Sequence, residues 1–285
     1  MKELRFCEEH RYRYEEAAHV TPNSQLYKAQ DLTLNRTVAL KKVKISGTGK
    51  REIEGNYRRA LQEVKTMVQI SENTVKLPNI FCTWYEEQAA ELFIVMQWIG
   101  GETLAKKMER TLSPVLFIKW MRELCQILDV MAVRGFVHKD IKPENIMFDK
   151  NNDLYLIDFN ISVSVPNQTE GTLFYKAPEM EEGSGTMSRD KVDMFALGVM
   201  LYQQFTKTIP QRMIDYDIYD AKGEKWDLFT EPSALVPGLS PGLNQIIVKL
   251  MAYNPRDRYY SYGELMRDLK AVEKELQSGR RQRRD

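Results

Sequence analysis

His138-Lys139-Asp140-Ile141-Lys142-Pro143-Glu144-Asn145 is the densest polar run in the chain, and it stands between two strongly apolar segments. Upstream, Ser113-Pro114 supplies a helix cap with proline at the first helical position. Phe117, Trp120, Met121, Leu124, Ile127, Leu128 and Met131 then recur at helical spacing until Gly135 stops the pattern. Downstream, Ile146-Met147-Phe148 and Leu154-Tyr155-Leu156-Ile157 read as two strands separated by Lys150-Asn151-Asn152-Asp153, a hairpin turn. Asp158-Phe159-Asn160 ends that hairpin, and Asp158 lies eighteen residues beyond Asp140.

Outward from this core the chain has two characters. The first hundred residues read mostly as strands: one ending at Leu26 and Tyr27, a second at Thr37-Val38-Ala39-Leu40, a third at Leu92-Phe93-Ile94-Val95-Met96. Between them Tyr57, Leu61, Val64, Met67 and Val68 predict one helix over residues 56–70. Gly100-Gly101 breaks the pattern, and the joint falls near residues 97–102. Beyond it the periodicity predicts helices over residues 190–206, 240–251 and 261–276, the last followed by Gly279 and a basic end, RRQRRD. The fold class is therefore α+β, a small strand-rich lobe with one helix ahead of a larger, mainly helical lobe.

At 285 residues the chain can bury two substantial cores. A net charge of +1 lacks the basic excess of a nucleic-acid binder. Cys7, Cys82 and Cys125 are too far apart for a metal pair and make no disulfide framework. The start is polar, without the apolar core of a signal peptide, and no run approaches the length of a membrane span. These features make a reducing, cytoplasmic setting the expectation.

Taken together, the motifs resemble eukaryotic-type (Hanks-type) serine/threonine protein kinases, in the manner of stand-alone bacterial or phage members. The family's H-R-D-L-x-x-x-N stands here as HKDIKPEN, D-F-G as DFN, V-A-I-K as Val38-Ala39-Leu40-Lys41, and A-P-E is intact at Ala177-Pro178-Glu179. The resemblance covers almost the whole chain and implies a bilobal kinase fold. Its expected parts are an extension at 1–12, an antiparallel N-lobe at 13–96, a hinge at 97–103, a C-lobe at 104–275 and a basic tail at 276–285.

The chemistry agrees with the resemblance. Phosphoryl transfer from ATP needs an oriented hydroxyl, metal ions on the phosphate oxygens and positive charge beside them. Asp140 is the natural proton acceptor and orienter, Asn145 and Asp158 are oxygen ligands suited to Mg²⁺, and Lys142 reaches toward the transferred group. Lys41 would hold the α- and β-phosphates, and the segment LQEVKTM puts Glu63 at the position that pairs with it, Glu54 being the rival. Lys42 falls on the other face of its strand and is expected to be solvated. The resemblance further implies that Met96 backs the adenine pocket and that Gln97 carbonyl and Ile99 amide bond the adenine edge. Leu26, Ala39 and Met147 would supply its apolar walls. It also implies that Asp193 stiffens the catalytic loop, that Arg258 pairs with Glu179, and that Thr172 touches Asp140 and Lys142.

Some positions depart from the family pattern. The glycine-rich loop positions fall on His19, Thr21 and Ser24, none of them glycine, which implies weaker nucleotide binding; the hydroxyls of Thr21 and Ser24 are candidates to replace lost amide contacts. Gly47-Thr48-Gly49-Lys50 lacks the spacing of a phosphate-binding loop and reads as a turn. Asn160 replaces the last glycine of D-F-G, and Lys139 replaces the arginine that meets a phosphorylated loop. Ser162, Ser164 and Thr169 are the candidates for autophosphorylation, alone or through self-association. The form DIKPEN and the segment Gly171-Thr172-Leu173-Phe174-Tyr175 favour serine or threonine of a protein as acceptor. Two rivals stay open: a pseudokinase that binds without chemistry, and a kinase of small molecules.

Overall fold

The computed structural model describes residues 5–7, 11–72, 76–158, 174–180, 189–210 and 229–282. These form two compact units that meet in the chain at Gly100–Gly101.

The first unit is built on a six-stranded antiparallel sheet of β1 (Arg5–Cys7), β2 (Tyr12–Val20), β3 (Ser24–Asp31), β4 (Arg36–Lys44), β5 (Ile80–Glu86) and β6 (Glu91–Gln97), in the order β1-β2-β3-β4-β6-β5. Alternation along β4 divides the core. Val38 and Leu40 join Tyr12, Tyr27, Ala29, Phe93 and Val95 on one face, where Trp84 stacks between Tyr12 and Phe93 at centroid distances of 5.8 and 4.9 Å. Val43 and Ile45 point the other way and pack with Leu92 and Ile94 against Ala60 and Val64 of helix α1 (Lys50–Ser71). A residue of β4 thus belongs to the aromatic face or to the α1 face by parity alone.

Several boundaries differ from expectation. β3 does not end at Leu26 and Tyr27 but runs on to Asp31. Asp31 is fully buried at the following turn, where Arg11, Arg36 and the Leu34 amide bond its carboxylate. Burial works to raise that carboxyl's pKa, but the two guanidinium groups and the amide outweigh it and hold the group below the usual range. Helix α1 begins six residues earlier than the apolar spacing indicates. The Gly47–Gly49 turn is its cap: Glu52 in the first turn accepts from Thr48 N–H and Oγ1 at 2.9 and 2.7 Å. Asn56 then ties the helix to Ser46 carbonyl at 2.6 Å.

The second unit contains β7 (Glu102–Thr103), α2 (Leu104–Met108), α3 (Pro114–Val133), β8 (Ile146–Phe148), β9 (Leu154–Leu156), α4 (Arg189–Thr206), α5 (Pro232–Leu235), α6 (Pro241–Leu250) and α7 (Tyr262–Gln282). The apolar stripe read for α3 is buried along its whole length. Ser113 Oγ caps it, accepting from Leu116 N–H, and Gly135 ends it at φ +70°, a left-handed angle that suits glycine. Gly198 in α4 faces α6 so closely that a methyl there would lie 2.8 Å from Leu250 Cβ. Helix α7 continues through Gly279 to Gln282, so the first three residues of the basic end belong to the helix, and residues 283–285 lie outside the described residues. No helix among the described residues is long and apolar enough to cross a membrane.

Candidate active site

The charged loop is held from behind. Asp193, nearly fully buried in α4, accepts from His138 N–H at 2.8 Å through one oxygen and from Lys139 N–H at 2.8 Å through the other. Burial pushes its carboxyl up to about 6, against the pull of those two amides. Lys139 sits at φ +67°, an angle unfavourable for a side-chain-bearing residue, and the Asp193 bonds hold it there. His138 Nε2 lies 3.2 Å from Ile157 carbonyl; a carbonyl only accepts, so that nitrogen carries the proton.

Asp140 therefore emerges from a loop fixed on both sides. It is buried, and Asn145 Nδ2 donates to its carbonyl at 2.7 Å and to its Oδ2 at 2.9 Å. Lys142 Nζ lies 2.8 Å from the same Oδ2. Pro143–Asn145 forms a 3-10 turn, closed by Asn145 N–H on Lys142 carbonyl at 3.0 Å. Asn145 carbonyl in turn accepts Ile157 N–H at 2.8 Å. That bond sets Asp158, at φ +57°, one residue from the Asn145 backbone. With Nδ2 committed to Asp140, Asn145 has Oδ1 as its remaining ligand atom.

In the first unit, Lys41 is buried on the α1 face of β4, in register with Leu26 on β3 and Ile94 on β6. Ala39 and Met96 are cross-strand partners on that same face. Glu63 stands on α1 one residue before buried Val64, half-buried itself, with Oε2 shielded from solvent. Glu54 lies at the surface, paired with Arg58 at 2.6 Å. Lys42 points to the other face, but it is half-buried and 3.3 Å from Glu91 rather than solvated. Gln97 N–H bonds Asn79 carbonyl at 2.8 Å, and Ile99 is buried.

The turn after β2 is closed on itself. Thr21 N–H donates to Ser24 carbonyl at 2.8 Å, Ser24 N–H to Thr21 Oγ1 at 3.0 Å, and the two hydroxyls are 2.9 Å apart. Both amides and both side chains are engaged within the turn. Thr172, Asn160, Ser162, Ser164 and Thr169 lie outside the described residues.

A family model for the protein kinase domain matches residues 22–268. The chain belongs to the protein kinase domain family. Among its relatives, the serine/threonine-protein kinase PknD of Mycobacterium tuberculosis is 31% identical over 252 residues, 85% of this chain and 36% of that one. PknE of Mycobacterium bovis is 29% identical over 250 residues, 84% and 42% of the respective chains. A probable serine/threonine-protein kinase of Clostridium acetobutylicum is 27% identical over 272 residues, 92% and 40%. The chain spans about two fifths of the length of these curated relatives.

One structural pair of this kinase domain is bidentate and buried. Arg258 donates to both Glu179 oxygens at 2.6 and 2.8 Å, and to the carbonyls of Ala252 and Lys191 at 2.9 Å. Glu179→Ala should lower unfolding stability by about 3–5 kcal/mol, because it strands a buried guanidinium. Glu179→Ala with Arg258→Met should lose less than Glu179→Ala alone. Urea midpoints at constant slope check both; equal losses would show that Arg258 tolerates isolation.

What the sequence did not signal is a cluster around Lys107. Its ammonium bonds Glu102 and Asn152, residues that no motif marks.

Proposed function

We propose that this chain is an ATP-dependent protein kinase that transfers the γ-phosphoryl group to serine or threonine hydroxyls of proteins. The observation that carries the reading is the buried Asp140 network, in which Asn145 and Lys142 fix one carboxylate oxygen within 2.9 Å. In this reading the carboxylate so fixed orients a substrate hydroxyl. In this reading the hydroxyl oxygen attacks the γ-phosphorus, the bond to the β-phosphate bridging oxygen breaks, the proton passes to Asp140, and ADP leaves. Lys142, 2.8 Å from that carboxylate, offers positive charge to the transferred group. Lys41, supported by Glu63, would hold the α- and β-phosphates. Leu26, Ala39, Met96 and Met147 would contact adenine, with Gln97 and Ile99 bonding its edge.

Mg²⁺ fits the donor set. Asn145 Oδ1 and the half-exposed Asp158 carboxylate are hard oxygen donors, brought near one another by the Ile157–Asn145 bond. When bound, the cation would neutralise charge on the phosphate oxygens. Protein substrates follow from this reading. Autophosphorylation at Ser162, Ser164 or Thr169, self-association, Thr172 as a contact of Asp140, and a cytoplasmic setting are proposed with it.

The test is transfer of label from ATP to a generic protein substrate and to the chain itself, followed by identification of the phosphorylated residue. Phosphotyrosine alone would overturn the acceptor. Failure to bind Mg²⁺–ATP would return the binding-module reading.

The closed turn at Thr21 and Ser24 gives a quantitative expectation. Its amides are spent internally, so the apparent KM for ATP should lie toward the upper end of the usual range of roughly 1 μM to 1 mM. Thr21→Gly with Ser24→Gly should lower KM only modestly, because loss of Thr21 Oγ1 frees the Ser24 amide while the Thr21 amide stays on Ser24 carbonyl, and glycine adds backbone entropy. ATP titration at saturating Mg²⁺ measures both. A low-micromolar KM that the glycines leave unchanged would mean that the turn grips nucleotide in its present form.

A further inference from the structure

The β8–β9 hairpin carries a candidate metal ligand at each foot. Asn145 directly precedes β8, and Asp158 lies two residues past β9. Only three residue pairs separate those feet from the tip: Ile146 with Leu156, Met147 with Tyr155, and Phe148 with Leu154. The tip turns through Asn152 at φ +66°, and it is gripped there from α2. Lys107 Nζ donates to Asn152 Oδ1 at 2.9 Å and to Glu102 Oε1 at 3.2 Å. The same ammonium lies over the rings of Phe148 and Trp120, 4.8 and 5.6 Å from their centroids. Its side chain is only 15% exposed. Glu102 is fixed in turn by Arg110 at 2.9 Å and by pairing with Phe148 across β7 and β8. Gly101, just before it, has no room for a side chain: a methyl would lie 1.8 Å from Phe148 carbonyl.

We propose that Lys107 is a positioning residue for the Mg²⁺–nucleotide site, acting through the β8–β9 hairpin; the inference rests on the kinase reading above. A lysine suits the place because its three donors can serve two acceptors on different elements while its charge faces two aromatic rings. The ladder is short and stiff, so a tip released from α2 shifts the feet, and the spacing of Asn145 and Asp158 loosens. Removing a group that orients metal ligands typically weakens metal affinity by about tenfold or more.

The experiment uses the full chain and ADP as the probe, titrated calorimetrically with Mg²⁺ and again in EDTA. Lys107→Met and Asn152→Gly are compared with wild type, glycine being suited to the positive φ at 152. Each variant should weaken Mg²⁺–ADP binding by about tenfold while leaving metal-free ADP binding nearly unchanged. The double variant should be no worse than Lys107→Met. Lys107→Arg, which retains charge and donors, should recover most of the affinity. Variants that melt earlier but bind Mg²⁺–ADP as wild type does would reduce Lys107 to a purely structural role and overturn the proposal. Equal weakening with and without metal would overturn it too. A wild type that binds no Mg²⁺–ADP sinks the kinase reading and this inference together, whereas a binding wild type with unaffected variants sinks this inference alone.

Discussion

Asp140→Asn should lower kcat by about 10²–10⁴-fold, the range expected when a positioned proton acceptor is removed. The substitution is nearly isosteric. Its amide oxygen can still accept from Asn145 Nδ2, which now lies 2.9 Å from Oδ2, and the Asn145 bond to the residue-140 carbonyl does not involve the side chain. What disappears is the charge that pairs with Lys142 and that, in the proposed mechanism, takes the proton. The fold and nucleotide binding should therefore stay close to wild type while turnover collapses. Steady-state transfer assays beside a nucleotide titration give both numbers. Wild-type turnover in a clean Asp140→Asn preparation would show that another group accepts the proton.

Lys41→Met should lower phosphoryl transfer by about 10²–10³-fold, comparable to losing one preorganised charge aimed at the reacting groups. Methionine fills the buried space of the lysine stem on the α1 face, so the packing of Val43 and Ile94 around it is kept. Glu63→Gln should have a smaller effect, because a polar partner remains on α1. Glu54→Gln should have almost none, since Glu54 pairs at the surface with Arg58. The order of the three kcat/KM values is the readout. A larger loss from Glu54→Gln than from Glu63→Gln would overturn the assignment of the lysine's partner.

Much of the site was legible because it is local. The loop from His138 to Asn145, the hairpin after it and Asp158 are set by a stripe of apolar residues, a turn and a strand pair, all within forty-five residues of Pro114. Elements without a clean period were harder to read. β2 is bulged between Tyr14 and Ala17 and again before His19, so its alternation breaks and the strand stays hidden. β5 is half-buried along most of its length and shows no polar face. The start of α1 was concealed because its cap is made of Gly47, Thr48 and Gly49, read as a turn, with the decisive bond coming from Glu52. Gly279 misled in the opposite sense, since a glycine signals a helix end only where the chain turns left-handed, and α7 continues through it. The Lys107 cluster joins residues 45 positions apart, which no local pattern reveals.

The adjacent lysines of β4 bear on folding fidelity. Lys41 faces α1 and Lys42 faces the opposite side, where Glu91 holds it. A slip of one residue would exchange their places, and an amine would still reach the α1 face. Charge alone therefore cannot tell the right register from the wrong one. Discrimination falls to the apolar residues of the strand, above all Val38 and Leu40, both fully buried in the aromatic layer and both forced out of it by a slip, as Val43 would be from the α1 face. The error check on Lys41, the lysine proposed to hold the phosphates, is thus made in large part by aliphatic side chains on the far side of the sheet.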